Sequence, residues 1–180
     1  MKMMKLFLAG SMAISAFCFT ACSDDDDDGI GNHLISTHDK NFMTQASYGN
    51  WSEVDMGKLA DSMSADAGVK MFGQKMQQDH TTAQNELDDI ANDWDVTVPN
   101  GPDSMHIALK QQMMAMSPHM FDTAYANGQV RDHEKTIALF EDAAANSDQQ
   151  RLKDYAKKYL PAIKMHKAMA DTMAARLAMP

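Results

Sequence analysis

Cysteine is nearly absent from the 180-residue chain: there are two, Cys18 and Cys22, both near its start. Disulfides, zinc–thiolate sites and cysteine catalysis are thereby excluded from the body of the protein. An excess of positive charge is lacking as well. Sixteen Lys and Arg face 25 Asp and Glu, a net charge of −9, and such a surface does not suit nucleic-acid phosphate as a partner. Nine Gly and five Pro, gathered at a few spots, argue against a turn-rich all-β fold. The sequence has no Gly-rich phosphate loop, no Gly-x-Ser-x-Gly elbow and no Cys-x-x-Cys-His haem attachment, so nothing in it marks an enzyme. Apolar side chains are plentiful at 44%, enough for a core, and 18 residues are Met.

Residues 1–21 read as a lipoprotein signal peptide. Lys2 and Lys5 precede an uncharged, mostly apolar run from Leu6 to Phe19, too short to span a bilayer and suited to a secretory core. The run ends in Phe19-Thr20-Ala21-Cys22, small residues before a Cys that becomes the acylated first residue of the mature chain. Residues 22–38 then form a tether whose five carboxylates, Asp24 to Asp28, repel one another. Such an acidic run after the lipidated Cys resembles a surface-export signal of Bacteroidetes lipoproteins. The expected location is the bacterial outer membrane, with the protein held by its lipid on Cys22 and facing the periplasm or the cell surface. Processing removes Lys2 and Lys5 and leaves 14 basic and 25 acidic residues, net −11.

Residues 39–178 carry the periodicity of four long helices. Ser36 with Asp39 looks like a variant capping box. Phe42, Ala46, Gly49, Glu53, Met56, Ala60 and Met63 then alternate at spacings of four and three. After a turn at 64–68, Val69, Met76, His80, Ala83, Leu87, Ile90 and Trp94 repeat the stripe, which stops before the breakers of Val96 to Pro102. Asp103 caps a shorter helix reaching about Met116. Val130, His133, Ile137, Phe140 and Ala144 mark the next long helix, and Leu152, Ala156, Tyr159, Ile163, His166, Ala170, Met173 and Leu177 the last, with Ser147 or Asp148 as its cap. Pro161 lies inside that helix and should kink it. The predicted fold is all-α: a ferritin-like, up-down-up-down four-helix bundle with a short extra helix between helices 2 and 3.

Glu53, His80, His133 and His166 all fall on core stripes, one per long helix. One Glu and two or three His in a bundle core are ligand chemistry for one divalent transition metal such as Zn, Fe or Cu. The alternative is a hydrogen-bonded polar layer that fixes register. Counting residues from the turns puts Glu53, His80 and His133 at one depth. His166 falls six or seven residues, about 10 Å, deeper, which makes Glu86 a nearer partner for it. Asp79 and Asp132 adjoin stripe histidines but point about 100° away, toward neighbouring helices or loops.

Met76-x-x-Asp79-His80, Phe121-Asp122-x-x-Tyr125, Asp132-His133-Glu134 and Leu160-Pro161-x-x-x-x-His166, with Val54 to Ala60, are similar in order and spacing to domain-of-unknown-function family 4142. That resemblance spans about residues 39–177. It implies an exported bacterial protein with a ferritin-like helical bundle and carries no activity. Asp79, His80, Phe121, Asp122, Tyr125, Asp132, His133, Pro161 and His166 are the positions that match. Di-iron bundles use Glu-x-x-His, whereas Gln77, Val130 and Ile163 stand three residues before the histidines. A carboxylate-bridged di-iron oxidase is therefore not expected.

Methionine is the remaining oddity. Met113, Met114 and Met116 cluster, and Met165, Met169 and Met173 share a helix face. Thioethers suit Cu(I), and Met equally fills irregular cores. Two functions stay open: a metal-binding bundle of the cell envelope, for metal handling or stress defence, or a non-catalytic envelope lipoprotein with a purely structural Glu/His layer.

Overall fold

A computed structural model describes residues 35–179. Cys22, the signal peptide and the acidic run lie outside the described residues. Five helices follow in order: α1 (Thr37–Met63), α2 (Ala67–Asp93), α3 (Ser104–Met114), α4 (Pro118–Asn146) and α5 (Gln150–Leu177). Among the described residues there is no strand, and no helix is long and apolar enough to cross a membrane.

Local chemistry sets the helix ends. The Ser36 hydroxyl accepts from the Asp39 backbone N–H, Asp66 from Val69, and Asp103 from Met105 and His106, each filling backbone donors left open in a first turn. α2 ends in a Schellman arrangement, in which Val96 N–H donates to the Ala91 carbonyl and Asp95 N–H to Asn92. This places Asp95 at φ 53°, a conformation that short polar side chains tolerate. Neither Ser147 nor Asp148 caps α5. Its N-cap is Gln149, whose side chain makes no cap bond, and Ser147 instead ends α4 and accepts from the Gln149 N–H. α5 runs through Pro161 as one helix. Lys157, whose carbonyl loses its partner there, is an exposed residue.

α1 pairs with α2 and α4 with α5, and the pairs meet through α1 against α4 and α2 against α5. The all-α, ferritin-like bundle is therefore present, but its helix order is not up-down-up-down. His38 at the start of α1 meets Asp142 at the end of α4, and Arg176 at the end of α5 meets Asp66 at the α1–α2 turn. The 94–117 connection must therefore return along the whole bundle, so α2 and α4 run parallel while every packed pair of long helices is antiparallel. α3 lies in that crossover, against α1 and α4.

At one end of the bundle Phe42, Leu87, Phe140, Leu152 and Tyr155 form an apolar cluster, and at the other Val69, Phe72, Met76, Phe121, Tyr125 and Met173 form a second. Each large side chain so buried contributes about 1.5–3 kcal/mol. Met113 of α3 is buried in the second cluster, whereas Met114 is exposed, so the two adjacent thioethers do not share a site. Gly57 and Gly73 let α1 and α2 touch: a β-carbon on Gly57 would lie 2.5 Å from the Gly73 carbonyl oxygen, and one on Gly73 would lie 2.8 Å from that of Gly57. This close contact sets the depth at which α1 and α2 face each other, just above the polar residues that follow.

Candidate metal centre

Between the two apolar clusters lies a layer of buried polar side chains: Asn50, Glu53, His80, Gln84, Gln129, His133 and His166. A one-way chain of hydrogen bonds orients His80. Ser47 Oγ donates to the Pro99 carbonyl (2.6 Å), Gln84 Nε2 to Ser47 Oγ (3.0 Å), and Asn50 Nδ2 to Gln84 Oε1 (3.3 Å). Asn50 Oδ1 is left as an acceptor, and His80 Nδ1–H donates to it at 3.0 Å. The proton thus sits on Nδ1, and Nε2 keeps its lone pair.

The other two rings are held in the same manner. His166 Nε2–H donates to Asp79 Oδ2 at 2.8 Å, and His133 Nδ1–H to the Gln129 carbonyl one turn earlier at 2.9 Å. The remaining nitrogens, His80 Nε2, His133 Nε2 and His166 Nδ1, are buried and have no hydrogen-bond partner among the described residues. Ring centroids lie 5.5–5.9 Å apart, and one ligand atom from each ring lies within 4.8 Å of the others. Tetrahedral ligation with metal–nitrogen bonds of 2.0–2.1 Å would draw these atoms to about 3.4 Å, within reach of small ring rotations.

Burial pushes the pKa of His80 well below its ordinary value, and the neighbouring His133 and His166 add to that. Burial likewise lowers His166, against the pull of Asp79. Both rings are neutral at pH 7, as metal ligands must be. For Asp79, burial opposes ionisation, but Lys75 at 2.9 Å and His166 outweigh it and hold its pKa below the ordinary value. It stays a carboxylate behind the ring, the outer support characteristic of metal-bound imidazole.

The structure does not place all the sequence candidates in one group. His166 is level with the other histidines, contrary to the count along the chain. The α4–α5 turn occupies 147–149, which leaves His133 15 residues before Asp148 and His166 18 after it. The residual three residues, about 4.5 Å, are closed by side-chain direction. Helical side chains lean toward their own N-terminus, so on antiparallel helices these two rings lean toward each other's level. Glu86 is not a partner of His166; it accepts from Lys158 and Tyr159. Glu53 stands on the Nδ1 side of His133, with Oε1 at 3.6 Å from the nitrogen already engaged by Gln129, and outside the three-histidine group. Burial raises its pKa, opposed chiefly by His133.

Among the matching family positions, Asp132 turns to His106 of α3 and to Lys135. Phe121 stacks on Tyr125 with centroids 5.9 Å apart, and Asp122 is buried beside them. Asn50 and Gln129 were not read from the sequence. Their signal was available: Asn50 lies one helical turn before Glu53, and Gln129 one turn before His133.

The profile of a protein family described as Domain of unknown function (DUF4142) matches residues 31–173. The chain belongs to this family. No curated protein and no solved structure matches it.

Proposed function

We propose that this protein binds one divalent transition metal, Zn, Fe or Cu, through His80, His133 and His166, with Asp79, Asn50, Gln129 and Glu53 as the groups that orient the ligands. One observation carries the reading. Three buried imidazoles from three helices each spend one nitrogen on an oxygen acceptor and keep the other unpartnered, and one nitrogen of each ring lies within 4.8 Å of the others. Leaving three such acceptors unsatisfied costs about 1–3 kcal/mol each, which a metal ion recovers. An all-nitrogen set suits these metals and not Mg or Ca. Three protein ligands leave a fourth position open to water or a small anion.

The protein acts in this reading at the cell envelope, as an outer-membrane lipoprotein anchored through Cys22; the apolar run and the small residues before Cys22 support this. The test is elemental mass spectrometry on protein purified without a polyhistidine tag, after reconstitution with Zn, Fe, Cu or Mn and desalting. One equivalent of metal is expected in the parent chain and none in a His80→Ala, His133→Ala variant. No metal in the parent chain would make the histidines a structural polar layer. Loss of the membrane fraction in Cys22→Ala would support the anchor.

A further inference from the structure

The three histidines are 5%, 1% and 1% exposed, so an ion must cross protein to reach them. We propose that it does so between α1, α3 and α4, where Ser52, Glu53, Tyr125 and Gln129 replace its water ligands in turn; this rests on the metal reading above.

Two cavities with shared walls mark the route. The outer is a cleft of about 250 Å³ at the start of α3, bounded by Gly49 and Ser52 of α1, Asp103 and His106, and Asp132 of α4. The inner is a recess of about 10 Å³ that shares Ser52, Glu53, His106 and Asp132 with the cleft and adds Tyr125 and Gln129. That volume holds one water or one ion. Ser52 Oγ, Glu53 Oε2, Tyr125 OH and Gln129 Oε1 all belong to residues lining the recess. Each is buried and has no hydrogen-bond partner among the described residues. Two hydroxyls and two acceptor oxygens thus line a space of one ion without bonding one another, and each buried polar atom left so is costly. They are the donor type onto which a hydrated cation sheds its water. Glu53 lines the recess, and its other oxygen is 3.6 Å from His133 Nδ1, so the ion passes that ring to reach the Nε2 side.

The opposite face, between α2 and α5, is more apolar among the described residues. Asp79 is held there by Lys75 and His166. The groove of about 430 Å³ between α2 and α5 is lined mainly by Phe72, Met165, Met169 and Met173, which are poor substitutes for water around a divalent ion.

Gly49 supplies the test. No atom lies within 4 Å of a β-carbon built on it, so Gly49→Phe fills the outer cleft without a clash at its root. Ala168→Phe fills the α2–α5 groove as a control. Co(II) is mixed with each metal-free protein in a stopped-flow instrument, and its visible bands report loading; a chelator chase reports release. For Gly49→Phe, loading and release should both slow by about tenfold or more, with unchanged affinity, stoichiometry and melting temperature, and Ala168→Phe should match the parent. Parent-like rates in Gly49→Phe, or slowing in Ala168→Phe alone, would overturn the passage while leaving the metal site intact. No Co(II) bands in the parent would overturn the metal reading and the passage with it.

Discussion

The sharpest consequence of three converging imidazoles is a mutation that stabilises the metal-free protein. His133 is 1% exposed, and its one ring hydrogen bond among the described residues goes to the Gln129 carbonyl, which lies four residues back and receives the backbone N–H of the same residue. Replacing His133 by Leu keeps the volume nearly constant and orphans no backbone group. It removes a buried lone pair without a donor, worth about 1–3 kcal/mol. It also costs the Glu53 contact at 3.6 Å, worth about 1 kcal/mol. The metal-free variant should therefore gain about 0–2 kcal/mol, or about 0–6 °C in melting temperature for a domain of this size. With metal at a hundred times its dissociation constant, the parent gains about 2.7 kcal/mol, which His133→Leu cannot. Thermal unfolding followed by circular dichroism, once in EDTA and once in excess Zn(II), measures both arms. The variant should melt at or above the parent in EDTA and below it in zinc. A loss of about 2 kcal/mol or more in EDTA, as expected for a broken polar network, together with no zinc response in the parent, would refute the reasoning and make the layer structural.

Three further outcomes follow from the geometry. Asn50→Leu removes the acceptor that fixes the His80 tautomer, so competition titration against a chelator should show metal affinity falling about 10–100-fold; an unchanged affinity would show that His80 orients itself. Gly57→Ala drives a methyl group to 2.5 Å from the Gly73 carbonyl and should cost about 1–3 kcal/mol in urea unfolding, with a neutral result excluding the close α1–α2 contact. His106 is raised to about 9, first by Asp132 and, against burial, by Asp103. Its stabilising contribution is therefore fully present below about 6.5, its unfolded value, and is lost as pH rises through 9. Between pH 6 and 10 the parent should lose about 1–2 kcal/mol more than His106→Gln does, after solvent screening.

Much of the bundle was legible in order along the chain because helix formation is local. Alternating four- and three-residue spacing placed Phe42, Met76, Phe140 and Ile163 on buried faces, and Ser36 and Asp103 at helix starts, since those signals depend on residues within a turn of each other. The same stripes carried Glu53, His80, His133 and His166 to the interior. What could not be read was the relative depth and direction of packed helices. A long connection can end at either end of the bundle, so the parallel course of α2 and α4 had no signature in the 94–117 segment. Counting along the chain centred the α4–α5 turn two residues early and ignored the direction in which side chains lean, and together these displaced His166 and promoted Glu86 in place of Asp79.

By itself, then, the sequence determined an all-α body, a thiol-free interior beyond residue 22 and three histidines bound for the core, because composition and the helical period decide these without reference to distant residues. Only the tertiary structure decided that the three rings share one level, that Glu53 stands beside His133 outside their group, and that Asn50, Gln129 and Asp79 each engage one ring nitrogen and leave the other without a partner. Those facts arise from crossing, depth and side-chain tilt between helices, which are properties of packing.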